Sequence, residues 1–278
     1  MIPQVRIAQI TDLHIKAPGV LAYRRVDTAS ALSRCIETLN AFSPPPDLVV
    51  ISGDLADTPT AQEYAHLNQL LGELRLPFVA TPGNHDDRAL MRAALSSQNF
   101  SQPSGALNSV HSVGDIDVLL ADSSVPGRPH GWLDEATLAW LNVTLGHSKT
   151  RPALLFLHHP PFLAGIGHMD VQNLKNADVL AALLDRHPRV RLIASGHVHR
   201  SVASTFAGRQ GSICPAPNHA VALDLAARLS PSFVVEPPAF HLHVWTTGPD
   251  FGEIATHTVP IGRFDGPYPF FDADGRLL

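Results

Sequence analysis

Cysteine is nearly absent. The 278 residues hold two, Cys35 and Cys214, and neither sits in a CxxC pair, which excludes a disulfide framework or a thiolate zinc site as the organising feature. No apolar run approaches the roughly 18 to 20 residues that cross a bilayer as a helix. Long basic runs are missing too, and the formal net charge is −5. Partners such as a nucleic-acid polymer or an anionic membrane are therefore not expected, while a small anionic substrate stays open. The opening Met1-Ile2-Pro3-Gln4-Val5-Arg6 lacks the charged head, apolar stretch and cleavage site of a signal peptide, so a cytoplasmic location is expected. There is no internal repeat or low-complexity stretch. What is abundant is histidine, 16 residues against 20 Lys plus Arg.

With 45% hydrophobic residues the chain can bury a well-formed core. Six short apolar runs read as strands buried on both faces: Arg6 to Ile10, Leu48 to Ile51, Phe78 to Ala80, Val118 to Ala121, Leu154 to Leu157 and Arg191 to Ala194. Between them lie helical patterns, one after an Asp27 cap, one opening with the capping box Thr60-Ala61-Gln62-Glu63, and others near Asp87 to Leu95, Asp134 to Leu145 and Ala177 to Arg186. The alternation predicts an α/β core over 1–211. From about 212 to 278 prolines cluster, Phe240, Leu242 and Val244 alternate with His241, His243 and Trp245, a Gly248-Pro249 turn follows, and a second strand is expected near Ile254 to Val259. This β-rich extension is expected to complete the sheet, and to act as a cap or a subunit contact.

Five segments share one layout, in which an apolar run ends and metal-type ligands follow at once. They are Ile10-Thr11-Asp12-Leu13-His14, Ile51-Ser52-Gly53-Asp54, Gly83-Asn84-His85-Asp86, Leu157-His158-His159-Pro160-Pro161 and Ser195-Gly196-His197-Val198-His199. Ligands at the carboxyl ends of successive strands converge on one crevice. Residues two apart in an extended segment point the same way, so Asp12 with His14, and His197 with His199, are each expected to present two ligands together. Glycines 53, 83 and 196 allow close backbone approach. Asp12, His14, Asp54, Asn84, His158, His197 and His199 are too many ligands for one ion, which predicts two metals sharing the Asp54 carboxylate. Such a pair can clamp both oxygens of an in-line displacement and activate a water. The nitrogen and oxygen set suits Mn, Fe, Zn or Co. Any one of these motifs alone is more often a turn or a cap; it is their order along the chain that carries weight.

The series D-x-H, G-D, G-N-H-D, H-H-P-P and G-H-x-H resembles the calcineurin-like metallophosphoesterase superfamily, in particular its class III cyclic nucleotide phosphodiesterase and glycerophosphodiesterase branch. Gly131-Trp132-Leu133, Trp140-Leu141 and His168-Met169-Asp170 add to the likeness, which spans residues 12 to 199. The resemblance implies two packed mixed β-sheets flanked by helices. It implies one metal on Asp12, His14, Asp54 and His199, and a second on Asp54, Asn84, His158 and His197. It also implies that His85 contacts substrate or protonates the leaving oxygen, with Asp86 orienting it. Ser195 stands where many relatives have Cys, which touches no ligand. Beyond these, His159, His168 and His219 are expected near the substrate. His241 and His243 are expected at the surface or an interface, and Asp57, Arg88 and Arg128 on solvated surface.

The expected activity is hydrolysis of a small phosphodiester by a metal-bridging hydroxide, with 3′,5′-cAMP-type cyclic nucleotides as the substrate class. Glycerophosphodiesters and broad phosphomonoester or diester hydrolysis are the alternatives within hydrolases. From another class, a non-catalytic metal-binding regulator should show gaps in the ligand series, and none of the seven positions is degenerate. A homo-oligomer formed through the tail is a further expectation.

Overall fold

The computed structural model describes residues 4–226, 231–247 and 252–278. The expected Gly248-Pro249 turn lies outside them. The chain runs β1 (Gln4–Ile10), α1 (Thr28–Ala41), β2 (Leu48–Ser52), α2 (Ala61–Leu71), β3 (Phe78–Thr81), α3 (Arg88–Ala94), β4 (Ser109–Val113) and β5 (Ile116–Leu120). It continues through α4 (Glu135–Gly146), β6 (Ala153–Phe156), α5 (Gly167–Asp170), α6 (Ala177–Asp185), β7 (Val190–Ser195), β8 (Val202–Phe206), β9 (Arg209–Ile213), β10 (Ala220–Val221), β11 (Phe233–Val234), β12 (Ala239–Thr247) and β13 (Gly252–Pro260).

The helices start where the sequence marks them. Asp27, Thr60, Asp87 and Asp134 each accept a backbone N–H of the first turn, offsetting donors that no helix can satisfy internally. The Thr60 box is one-sided: the Glu63 carboxylate accepts from Thr58 N at 2.8 Å rather than returning to Thr60.

Two mixed sheets form, ordered β13-β12-β1-β2-β3 and β4-β5-β6-β7-β9-β8. Their facing sides bury Ile7, Val50, Val118, Leu120, Leu154 and Phe156 against one another, at about 1.5 to 3 kcal/mol for each large side chain. The outer face of the first sheet packs on α1 and α2 through Leu32, Ile36, Leu39 and Leu67. That of the second packs on α4 and α6 through Leu141, Leu145, Leu180 and Leu184. The result is a helix–sheet–sheet–helix sandwich, as expected.

Strands β4, β8 and β9 were not expected from the sequence. β4 and β8 alternate burial along edge positions, too short a pattern to stand out among polar residues. Position 211 lies inside β9, so the second sheet continues across it, while β12 pairs antiparallel with β1 and adds its hairpin partner β13 to the first sheet. His241 and His243 are buried, not exposed: β12 sits between β1 and β13 with one face toward the second sheet. Among the described residues no helix is long and apolar enough to cross a membrane.

Candidate metal centre

β1, β2, β3, β6 and β7 end at the same edge of the sandwich, and each leads into one of the five predicted segments. The way their side chains converge differs from the sequence reading. Residues 12 to 14 and 197 to 199 are not strand. Asp12, His14, Asp54, His197 and His199 all take left-handed φ, between 47° and 72°, a conformation that is uncommon for residues with a Cβ and concentrates at functional sites. Kinked backbone, rather than strand alternation, turns both members of each D-x-H and H-x-H pair inward. The glycines act as expected. A Cβ on Gly53 would collide with the His158 ring, one on Gly83 with the Asp54 carboxylate, and one on Gly196 with Thr11 Oγ1.

All seven predicted ligands meet. Asp54 Oδ2 lies 3.6 Å from His14 Nε2 and 3.4 Å from His158 Nε2. Asp12 Oδ1 lies 3.4 Å from His199 Nε2 and 4.0 Å from His158 Nε2. Asn84 Oδ1 is 3.2 Å from His158 Nε2, and the His197 ring stands 5.2 Å from that of His158. Potential ligand atoms group as Asp12, His14 and His199, as Asp12, Asp54 and His158, as His158, His159 and His197, and as His14, Asp57 and His85.

The outward nitrogens of three rings are tied down. His14 Nδ1 donates to Asp57 Oδ1 at 3.1 Å, His158 Nδ1 to Ser52 O at 2.9 Å, and His199 Nδ1 to His219 O at 3.2 Å. This fixes each ring's orientation and turns its Nε2 inward toward the carboxylates, as metal-bound imidazoles are held. His14 Nε2 and His199 Nε2 then stand 3.2 Å apart, and His197 Nε2 is buried without a hydrogen-bond partner. Imidazole nitrogens converging on carboxylates and on one another in a buried pocket are satisfied by cations, so the residues fit a metal centre.

The electrostatics agree with that reading. Burial alone would lift the pKa of Asp54, yet His158 and His85 hold it well below the usual carboxylate range. Burial, against the pull of His158, pushes Asp12 up to about 6. His158 is raised to about 9, because Asp54 and Asp12 outweigh its burial. Burial and neighbouring imidazoles keep His197 and His199 far below the usual histidine range, neutral and able to ligate.

A cleft of about 610 Å³ opens beside the centre, lined among others by Asp57, Asn84, His85, Arg88 and Arg128. Asp57 and Arg88 are therefore part-buried at the site rather than on solvated surface, whereas Arg128 lines the cleft from the exposed surface expected of it. Asp57 joins His14 to Lys16, whose Nζ is 3.0 Å from Asp57 Oδ2. Arg88 pairs with the buried Asp122 at 2.7 Å and donates to Ser124 O at 2.8 Å. No local motif marks Asp57 and Arg88, because their partners are 34 or more positions away.

The expectations for the remaining residues divide. His85 lines the cleft, and its Nδ1 donates to Asp57 O at 2.8 Å. Asp86 does not orient His85, a correction to the sequence reading. Its carboxylate accepts from Leu55 N, Ala56 N, Gly83 N and Tyr64 Oη at 2.8 to 3.1 Å, binding the β2 and β3 turns together. His219 does reach the centre, its ring 4.5 Å from that of His199 and 5.2 Å from that of Tyr23. Asn218 donates to the Asp12 and Leu13 carbonyls and braces that turn. His159 is fully buried against Ser123 Oγ at 2.8 Å, so it packs beside the ligands and does not face the cleft. His168, on the short α5, belongs to none of the ligand groups and does not line the cleft. Asp170 spends its carboxylate on Ala164 N and Gly165 N, closing that loop on itself.

Sandwich, kinked ligand turns and histidine–carboxylate cluster define a metal-site hydrolase fold. Residues 5–201 match the calcineurin-like phosphoesterase family, and the chain belongs to it. It is 39% identical over 274 residues to a protein of Arcobacter nitrofigilis named "Probable glycerophosphodiester phosphodiesterase GpdQ", covering 98% of this chain and 99% of that one. It is 35% identical over 208 residues to the 3′,5′-cyclic adenosine monophosphate phosphodiesterase CpdA of Escherichia coli K12, 74% of each chain. A dimetal phosphatase from Danio rerio has the same fold, with a TM-score of 0.63 at 14% identity over 93% of this chain and 99% of that one.

Proposed function

We propose that this chain is a dinuclear metal-dependent phosphodiesterase acting on a small phosphodiester of the cyclic nucleotide class. The observation that carries the reading is the Asp54 carboxylate, whose Oδ2 faces His14 on one side and His158 on the other at nearly equal distance. Asp12, His14, Asp54 and His199 would hold one ion, and Asp54, Asn84, His158 and His197 the other, with Mn, Fe, Zn or Co suited to the donor set. When bound, such ions would supply the positive charge that lowers the pKa of a water and offsets the negative charge of the phosphate.

The chain's own residues do the rest. Arg88, pre-ordered by Asp122, and Arg128 line the cleft and favour an anionic ligand there. His85 commits Nδ1–H to the Asp57 carbonyl, which leaves Nε2 as the ring atom that exchanges a proton with the leaving oxygen. The cleft volume suits a small molecule rather than a polymer. A glycerophosphodiester is the second reading, supported by the near full-length match to the Arcobacter protein.

Reconstitution with Mn, Zn, Co or Fe should give turnover of bis(p-nitrophenyl) phosphate that EDTA abolishes. No turnover with any of them would favour the non-catalytic metal-binding reading. Specificity constants across 3′,5′- and 2′,3′-cyclic nucleotides, glycerophosphodiesters and monoesters then rank the substrates. Two further parts of the reading concern the whole chain. Phe264, Tyr268, Phe270, Phe271, Leu277 and Leu278 are all exposed near the carboxyl end, which supports a homo-oligomer formed through residues 212–278; light scattering would test it. Cys35 and Cys214 are buried and free, which supports action in the cytoplasm.

A further inference from the structure

The two halves of the ligand set hang from different sheets. Asp12, His14, Asp54 and Asn84 follow strands of the first sheet, and His158, His197 and His199 follow strands of the second. Their mutual distances therefore depend on how far apart the sheets stand at this edge. Apolar packing between the sheets is non-directional and sets that gap only loosely.

Direct bonds cross it at the ligands, from His158 Nδ1 to Ser52 O and from His197 N to the Asp12 carboxylate, and behind them a further buried side chain reaches both sheets. Gln9, near the end of β1 and three residues before Asp12, is fully enclosed. Its Nε2 donates to Ser52 Oγ at 2.8 Å, next to the Gly53-Asp54 turn, and to Ser195 O at 3.0 Å, next to the Gly196-His197 turn. Ser52 O in turn accepts from His158 Nδ1 at 2.9 Å and from Thr11 Oγ1 at 3.2 Å. A single carboxamide thus ties β1, which leads to Asp12, to Ser52 before Asp54 and to Ser195 before His197, and Ser52 is also the residue whose carbonyl holds His158.

The carboxamide works in only one flip. Reversed, its oxygen would face the Ser195 carbonyl, acceptor against acceptor. The flip is set from the C-terminal hairpin. Gln9 Oε1 accepts from His243 Nε2 at 3.0 Å, and His243 Nδ1 accepts from Thr256 Oγ1 at 2.8 Å. Thr256 Oγ1 accepts from Gln210 Nε2 on β9 at 3.0 Å. Donors and acceptors alternate along this chain without conflict, and buried polar networks of that kind favour one arrangement. His243 and Thr256 lie outside residues 5–201, the part that matches the family.

We propose that Gln9, held in its flip by His243, is a positioning residue that fixes the spacing between the two halves of the metal centre, which makes the C-terminal hairpin part of metal loading. This rests on the dinuclear reading above.

Three variants test it with Mn(II) as the probe: Gln9→Met, His243→Leu and His243→Gln. The readouts are bound Mn per chain by dialysis and elemental analysis, the paramagnetic resonance signal of an exchange-coupled Mn pair, and melting of the metal-free protein. Wild type should take up two ions with a coupled signal. Gln9→Met and His243→Leu should bind the second ion on the order of 10- to 100-fold more weakly and lose the coupled signal. His243→Gln, which offers an N–H where His243 Nε2 stood, should restore both. Wild-type affinity and coupling in Gln9→Met and His243→Leu would overturn the proposal. So would a His243→Gln variant as impaired as His243→Leu, since packing rather than the hydrogen bond would then be at work. If Gln9→Met does not fold, the two His243 variants decide. A wild type that takes up fewer than two ions would sink the dinuclear reading itself, and this inference with it.

Discussion

Left-handed φ at Asp12, His14, Asp54, His197 and His199 costs each of these residues backbone energy, and it puts their side chains where charges and lone pairs crowd. The crowding separates the roles of single residues. Asp54 faces both halves of the centre, so Asp54→Ala should remove activity and much of the bound metal together. Elemental analysis finding two ions per chain in that variant would contradict the bridging role. His85 presents its ring to the cleft, its backbone N–H donates to Asp54 Oδ1 at 2.8 Å, and the ring lies edge-on 4.7 Å from that of His14. His85→Ala should therefore keep its metal and lose rate by roughly 10²- to 10⁴-fold, read as kcat beside metal content. A proportionate loss of metal would assign His85 to the ligand set instead.

At the scale of elements, turns and hairpin deserve separate tests. Asp86 joins the turns after β2 and β3 through three backbone N–H groups and Tyr64. Asp86→Ala leaves those buried donors unpaired, at about 1 to 3 kcal/mol for each group left unsatisfied. Its melting temperature should fall clearly even without metal; an unchanged value would show that water replaces the carboxylate at no cost. On β12, burial lowers the pKa of His241 to about 4, below the value near 6.5 of an unfolded chain. The unfolded state therefore binds the proton first as pH falls. The stabilising contribution of neutral His241 is complete above pH 6.5 and is lost between there and about 4, on the order of 3 kcal/mol. Denaturant titrations at pH 7 and pH 4.5 should show His241→Gln losing less stability on acidification than wild type. Superimposable pH profiles would mean that His241 does not titrate in this window.

For the molecule as a whole, the centre joins both sheets, so a ligand that binds it acts on global stability. Each ion present at about 100 times its dissociation constant should add roughly 2.7 kcal/mol, a rise in melting temperature on the order of 5 to 10 °C per ion for a chain of this size. EDTA should reverse it in scanning calorimetry. The absence of any shift, with metal shown to be bound, would mean that the unfolded chain binds the ions as well as the folded centre does, against a preformed site.

Apolar runs bounded by turn residues, helix caps such as Asp27 and Asp134, and five ligand segments each following a strand were legible in the sequence. All of them are local patterns: periodicity and short spacing reveal which side chains a strand end presents. Short edge strands β4 and β8 were not, for their alternation is weak and their pairing partner decides whether they form. Nor were the places of Asp57, Arg88, His241 and His243, which read as surface because a polar residue on a strand or loop carries no mark of what will cover it. Asp86 looked like a partner of its neighbour His85, yet its carboxylate found backbone donors 30 and 31 positions earlier. The amino-acid order by itself determined the chemistry available, seven nitrogen and oxygen ligand candidates and no thiolate among them. Only the packing of one sheet on the other decided which of the remaining polar groups would be buried beside them, because burial and hydrogen-bond partnership across distant segments exist only once the chain has closed.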